Sequence, residues 1–186
     1  MDKRALILEK LMIHNGLDKK EKDMTEETIN FINENYDCFE RSLKIGHVTG
    51  SAWIVDEKLE NTLLTHHAKL DKWFQLGGHS DGDWNTFNVA FREALEESGL
   101  KTIYTFTDDI LDVDVHTIPG KGEEPEHKHY DIRFIFVANK NEDFITTEES
   151  KELAWVELDK VSELNPDPAL LRMIVKTKNL RNLKLK

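Results

Sequence analysis

Apolar positions in this chain follow the three-and-four rhythm of helices up to about residue 45 and the alternation of strands beyond it, with one further helix interrupting the strands. Leu6, Ile7, Leu11 and Met12 carry a helical stripe that ends at Asn15-Gly16. A second helix is predicted to start around residues 23–26, with Ile29, Phe31 and Ile32 on its apolar side, and the polar stretch 17–22 reads as a loop before it. Strands are predicted over 47–55, 61–67 and 73–76, the first two joined by a polar turn. Residues 77–83 hold three glycines and two aspartates and predict a loop. After it, residues 85–98 place Phe87, Ala90, Phe91, Ala94 and Leu95 on one helical face, which Gly99 terminates.

Two later stretches alternate strictly. Residues 110–116 put Asp112, Asp114 and His116 opposite Leu111, Val113 and Val115. Residues 127–136 sort His127, His129, Asp131 and Arg133 from Tyr130, Ile132, Phe134 and Phe136. If the two pair as an antiparallel hairpin, their polar residues share one face, and that face is expected to line a pocket. In that pocket Arg133 would contact a phosphate, and the histidines would supply hydrogen bonds. A solvated face with a salt-bridged Asp131 and Arg133 is the plainer alternative. A second metal centre at His127 and His129 is the lesser reading, because no spacing in the sequence fixes the further ligands. The chain closes with a strand over 152–158, carrying Trp155, and a helix after Pro166-Asp167-Pro168 whose basic end, from Lys176 to Lys186, reads as a solvated face. Residues 1–45 therefore read as an N-terminal helical extension packed on a main domain of residues 46–186, with a partner-binding arm as the alternative.

Composition narrows the function. With 186 residues, 39% hydrophobic and 33% charged, the chain reads as one soluble globular domain with room for a sizeable core. A formal charge of −11 argues against an extended nucleic-acid surface, which draws its affinity from clustered lysine and arginine, and leaves a small phosphorylated partner open. Cys38 is the only cysteine, so there is neither a disulfide framework nor a cysteine metal site. No apolar run approaches membrane-spanning length and the charged N-terminus does not resemble a secretory signal, so the expected setting is cytoplasmic. A homodimer is compatible with all of this.

The chemistry concentrates on the far side of the 85–98 helix. Glu93, Glu96 and Glu97 stand at i, i+3 and i+4, within about one turn, and repel one another. Arg92 can hold one carboxylate, and a hard divalent cation would neutralise the others, since carboxylate oxygens suit magnesium or manganese. The run from Arg92 to Leu100 resembles the second half of the Nudix box at every fixed position. Counting back from Arg92, Gly78 fills the box glycine, while Trp84 stands where the pattern has a glutamate. Trp84 reads as a residue packing the loop, with base stacking as its alternative.

The resemblance implies an α/β (α+β) fold, a Nudix-type α/β/α sandwich with a mixed sheet. It implies Glu93 and Glu97 as principal ligands of Mg2+ or Mn2+, with Glu96 as a further ligand or base, Arg92 orienting the glutamates, and the Gly77 carbonyl as an added ligand. His79, His127, His129, Asp131, Arg133 and Trp84 are the substrate-binding candidates. Nudix enzymes often take their base from a loop outside the box, which makes Glu123, Glu124 and Glu126 candidates beside Glu96. The implied activity is hydrolysis of a phosphoanhydride in a nucleoside diphosphate linked to another group. Markers for ADP-ribose, dinucleoside polyphosphates and coenzyme A do not match, because Val115 to Ile118 stand at the relevant places and the stretch from Leu63 to Gly78 lacks arginine. From about residue 36 onward the chain resembles a group of bacterial Nudix proteins without a settled substrate. Two rivals stand beside this reading. One is a Nudix-fold sensor domain without turnover, motivated by Trp84; the other is an isopentenyl diphosphate isomerase, which would need a pocket cysteine and ranks last because Cys38 precedes the sheet.

Overall fold

The computed structural model describes residues 2–68, 71–145 and 150–184. Lys69 and Leu70, before the glycine-rich stretch, and Lys186, at the basic end, lie outside the described residues. In chain order the elements are α1 (Ala5–Ile13), α2 (Lys19–Glu34), β1 (Gly46–Asp56), β2 (Asn61–His67), β3 (Lys72–Phe74), β4 (Leu76–His79), α3 (Thr86–Ser98), β5 (Ile103–Thr105), β6 (Asp112–Ile118), β7 (His127–Ala138), β8 (Ser150–Glu157), α4 (Val161–Leu164) and α5 (Pro168–Lys184).

Together the strands make one mixed, curled sheet. β1 and β7 are its parallel spine, in register from Gly46 against Lys128 to Asp56 against Ala138. Every other pairing is antiparallel, and each long strand changes partner along its length. β1 pairs with β4 over Thr49–Ala52 and with β2 at Ile54 and Val55; β7 pairs with β6 in its first half and with β5 at its end. The expected hairpin of residues 110–116 and 127–136 is present, with Asp112 opposite Arg133, Asp114 opposite Asp131 and His116 opposite His129.

Alternation on the spine sorts two cores onto the two sheet faces. Val48, Ala52, Ile54, Ile132, Phe134 and Phe136 face α1, α2 and α3, together with Ile7, Leu11, Phe31, Ile32, Ala90 and Ala94. Trp53, Val55 and Ile135 face α5, with Leu170, Met173 and Ile174. Trp53 is wholly buried, and its indole N–H donates to Thr177 Oγ1 at 2.9 Å, so the ring meets its polar requirement inside the core. α3 lies against β1 because Gly50 has no side chain: a Cβ there would stand 2.7 Å from the Thr86 carbonyl oxygen.

Three sequence expectations are corrected. The second helix begins at Lys19 rather than near residue 23, because the Asp18 carboxylate accepts the Glu21 backbone N–H at 2.8 Å and caps it. The 77–83 loop is shorter than expected, since Gly77–His79 continue as β4 against β1 and only the residues after them turn. The basic end of α5 is not solvated throughout: the Lys176 ammonium points inward, onto Glu21 and Asp112. Trp155 is partly buried against the first core.

Candidate functional site

The box helix is built as its sequence dictates. Asn85 caps it, accepting the Asn88 N–H at 3.2 Å; Gly99 ends it at φ 65°, with its N–H on the Leu95 carbonyl. Between these ends, the acidic face is drawn onto β4. Gly77 N–H donates to Glu97 Oε2 at 3.0 Å, and the Glu93 carboxyl rests so close to Gly78 that a Cβ there would lie 2.6 Å from it. Gly77 itself sits at φ 157° against Ser51, where any side chain would collide with the β1 backbone. Arg92 donates to Glu93 Oε1 at 2.9 Å and to the His79 carbonyl at 3.2 Å, and reaches Glu96 only at 4.0 Å. The Glu96 side chain is 65% exposed.

This donor set fits a hard divalent cation. Two carboxylates are fixed against a glycine strand that leaves room where side chains would stand, with Arg92 paired to Glu93 beside them. Trp84, in the place of the missing box glutamate, is partly buried against the first core and lines a shallow pocket with Lys3, Arg4, Tyr36, Phe39 and Glu40. Its surroundings are those of a packing residue between the N-terminal segment and the loop before α3.

The polar sheet face descends in rungs from rim to floor. Paired rows carry His116, His129 and His47; then Asp114, Asp131, Thr49 and His79; then Asp112, Arg133, Ser51 and Gly77; and at the floor Ile135 and Trp53. The middle rungs are sealed. Arg133 is 4% exposed and donates to Asp131 Oδ2 at 2.7 Å and Asp112 Oδ2 at 3.2 Å, with Asp114 at 3.4 Å. Asp131 also accepts the hydroxyls of Thr49 (3.0 Å) and Ser51 (2.8 Å). From α5, Arg172 donates to Asp112 and Asp114, and Lys176 bridges Asp112 and Glu21. The expected phosphate contact of Arg133 is therefore not what the structure supports: its fork is committed to carboxylates, and the face is buried rather than solvated as the salt-bridged alternative expected. Asp131 likewise reads as a structural acceptor.

At the rim the imidazoles collect. Ring centroids lie 4.7 Å apart for His47 and His129, 5.0 Å for His47 and His127, 5.0 Å for His47 and His79, and 5.5 Å for His116 and His129. Burial, reinforced by the neighbouring imidazoles, lowers His47 to about 4 and His129 to about 2, so both stay neutral near pH 7. Burial also lowers His79, with the Arg41 charge adding to it. His127, His129 and His79 are thus brought together as polar-face residues. His47 was not singled out by its sequence, where it is one residue of a strand; what gathers it with the others is its register against His129.

Glu123, Glu124 and Glu126 are exposed on the loop before β7, pinned in part by a bridge between Lys121 and Glu124. Cys38 is wholly buried in the first core, and burial pushes its thiol up to about 12. A cavity of about 550 Å³ opens away from the box, between α1 and the end of α5. Among the described residues, no helix is long and apolar enough to cross a membrane.

Comparison with protein families matches the NUDIX domain over residues 47–175. Comparison with curated proteins gives no match. Among solved structures, the Ap4A hydrolase of C. elegans, in a binary complex, aligns with TM-score 0.57 at 14% identity over 72% of this chain and 96% of that one. The dihydroneopterin triphosphate pyrophosphohydrolase of E. coli aligns with TM-score 0.54 at 13% identity, over 71% and 95%. The MutT protein of Methanosarcina mazei Go1 gives TM-score 0.51 at 23% identity, over 74% and 96%. At these identities the likeness is one of fold.

Proposed function

The chain belongs to the Nudix family, and from that premise we propose that it hydrolyses a phosphoanhydride bond in a small nucleotide-type substrate, a nucleoside diphosphate linked to another group, with Mg2+ or Mn2+ held by Glu93 and Glu97. The observation that carries this reading is the seating of both carboxylates on the Gly77-Gly78 strand, one by a backbone N–H and one against a bare Cα. When bound, the cation offsets the negative charge that builds on phosphate oxygens in the transition state.

The remaining roles belong to the chain's own groups. Arg92 holds the Glu93 carboxylate and fixes it to the end of β4 through the His79 carbonyl. Glu96, exposed and only loosely approached by Arg92, is the group free to take the proton of the attacking water. The loop glutamates 123, 124 and 126 are second candidates for that proton. Substrate would approach over the imidazole rim, since the aspartate and arginine rungs beneath it are closed. The Gly77 carbonyl remains part of the proposed ligand set. Trp84 contributes packing, and a base-stacking role for it is not retained.

The test is magnesium- or manganese-dependent release of phosphomonoester from nucleotide sugars, ADP-ribose, dinucleotides and nucleoside triphosphates, comparing the natural protein with Glu97→Gln. The expected outcome is turnover of one substrate class that drops by a factor of roughly 100 or more in the variant. Binding without product under either metal would instead establish the silent ligand-binding reading that the absent box glutamate motivates, and Trp84→Glu would then be the variant to assay for recovered turnover.

A further inference from the structure

His47 on β1 and His127 and His129 on β7 place one potential ligand atom each within 4.8 Å of the other two. His47 is 3% exposed, and neither of its ring nitrogens makes a hydrogen bond; the Leu43 carbonyl lies near the ring without meeting hydrogen-bond geometry. His129 Nε2 is likewise buried and unpartnered. A buried nitrogen without a partner carries an unrelieved desolvation cost, so the unpartnered nitrogens of His47 and His129 mark a place where a bound group would relieve it.

His127 supplies the orientation. Its Nδ1 stands 3.0 Å from the Pro125 carbonyl oxygen, which can only accept, so Nδ1 carries the proton and Nε2 is left with a bare lone pair. A backbone carbonyl on the remote nitrogen is the arrangement that holds a ligating imidazole in place. His79, on β4, brings a fourth ring, with its centroid 5.0 Å from that of His47 and 5.1 Å from that of His129.

We infer that His47, His127 and His129, with the His79 ring beside them, form a binding site for a borderline divalent cation of the zinc class. Neutral imidazole nitrogens suit zinc and the later transition metals, whereas magnesium requires oxygen donors. Closing the 4.8 Å spread to a tetrahedral shell with bonds of about 2.0–2.1 Å takes a contraction of roughly 1.5 Å, within reach of ring rotation by the half-buried His127. The site is distinct from the carboxylates of the box yet adjoins them. His79 gives its ring to the imidazole group and its carbonyl to Arg92, while Gly78, the residue before it, seats Glu93. Two chemically different cation sites thus meet along one short strand, and the imidazole site stands whether or not the box turns over substrate.

The experiment uses the full chain stripped with a chelator and then given Zn2+ or Co2+ alone, in the presence of excess Mg2+. Metal content is read after gel filtration and the cobalt form by its visible absorption. One retained equivalent of zinc is expected, with the strong visible bands of tetrahedral cobalt. His127→Ala and His129→Gln should each weaken zinc binding roughly tenfold or more, while Glu97→Gln keeps the full equivalent. His127→Ala removes only a half-buried ring, and its fold is checked by circular dichroism melting. Zinc should raise the Tm of the natural protein and leave that of His127→Ala unchanged. If His129→Gln does not fold, His127→Ala decides alone. Substoichiometric zinc in the natural protein, undiminished zinc in His127→Ala, or zinc lost in Glu97→Gln would each overturn the proposal.

Discussion

At Gly78 a single added carbon would fall 2.6 Å from the Glu93 carboxyl, and the obstructing atoms are the far end of a flexible side chain. Gly78→Ala should therefore leave the fold intact and move Glu93. We expect Tm within about 2–4 °C of the natural protein and turnover reduced roughly tenfold or more; full activity in the variant would show that the seating of Glu93 is incidental. The placement of Gly78, Arg92, Glu93, Glu96 and Glu97 is legible in the sequence, because their spacing on one loop and one helix is local. The fate of Arg133 is not. Alternation gives the face it occupies and the aspartates beside it, but whether that face stays open to a phosphate or is sealed depends on what α5 lays across it.

Among the elements, α2 and β4 show where local signals compete. Residues 17–22 look like a loop by polarity, yet Asp18, three residues before Glu21, caps a helix that starts among them. Asp18→Ala should cost about 1 kcal/mol, read as a Tm lowered by roughly 2–4 °C, with the box chemistry untouched; no change in Tm would mean that packing alone sets the start of α2. In β4 the glycines suggest a turn, and the strand forms because β1 offers a paired edge whose close approach requires residues without side chains. Both differences have one origin: capping and strand pairing are decided by partners that polarity and composition do not display.

Across the whole molecule, Glu21 ties the N-terminal helices to the sheet and to α5. It is wholly buried, and its carboxylate accepts from His14, from the backbone N–H groups of Leu17 and Val113, and from Lys176, which also reaches Asp112. Burial alone would raise its pKa; the His14 and Lys176 hydrogen bonds and the Lys176 charge outweigh it and hold the carboxyl at about 2. Because this folded value lies below the unfolded one, the contribution to stability is present above about pH 4.5 and is lost as pH falls toward 2, a change of roughly 3 kcal/mol. Glu21→Gln should be destabilised at neutral pH and should lack this part of the acid slope. Parallel denaturation midpoints for both proteins across that window would refute the assignment.

What the sequence determined by itself was local: the amphipathic periods, the box spacing on a loop and helix, and the alternation that put His127, His129, Asp131 and Arg133 on one face. Each of these depends on residues a few positions apart. The tertiary structure alone decided which polar residues were sealed and which were left facing one another. His47 meets His129 across a gap of 82 positions, because β1 and β7 run parallel in register, and Asp112 meets Arg172 and Lys176 because α5 returns over the sheet. Parallel pairing and helix return are fixed by the burial of two apolar faces at once, a condition on the whole chain that no single stretch of it contains.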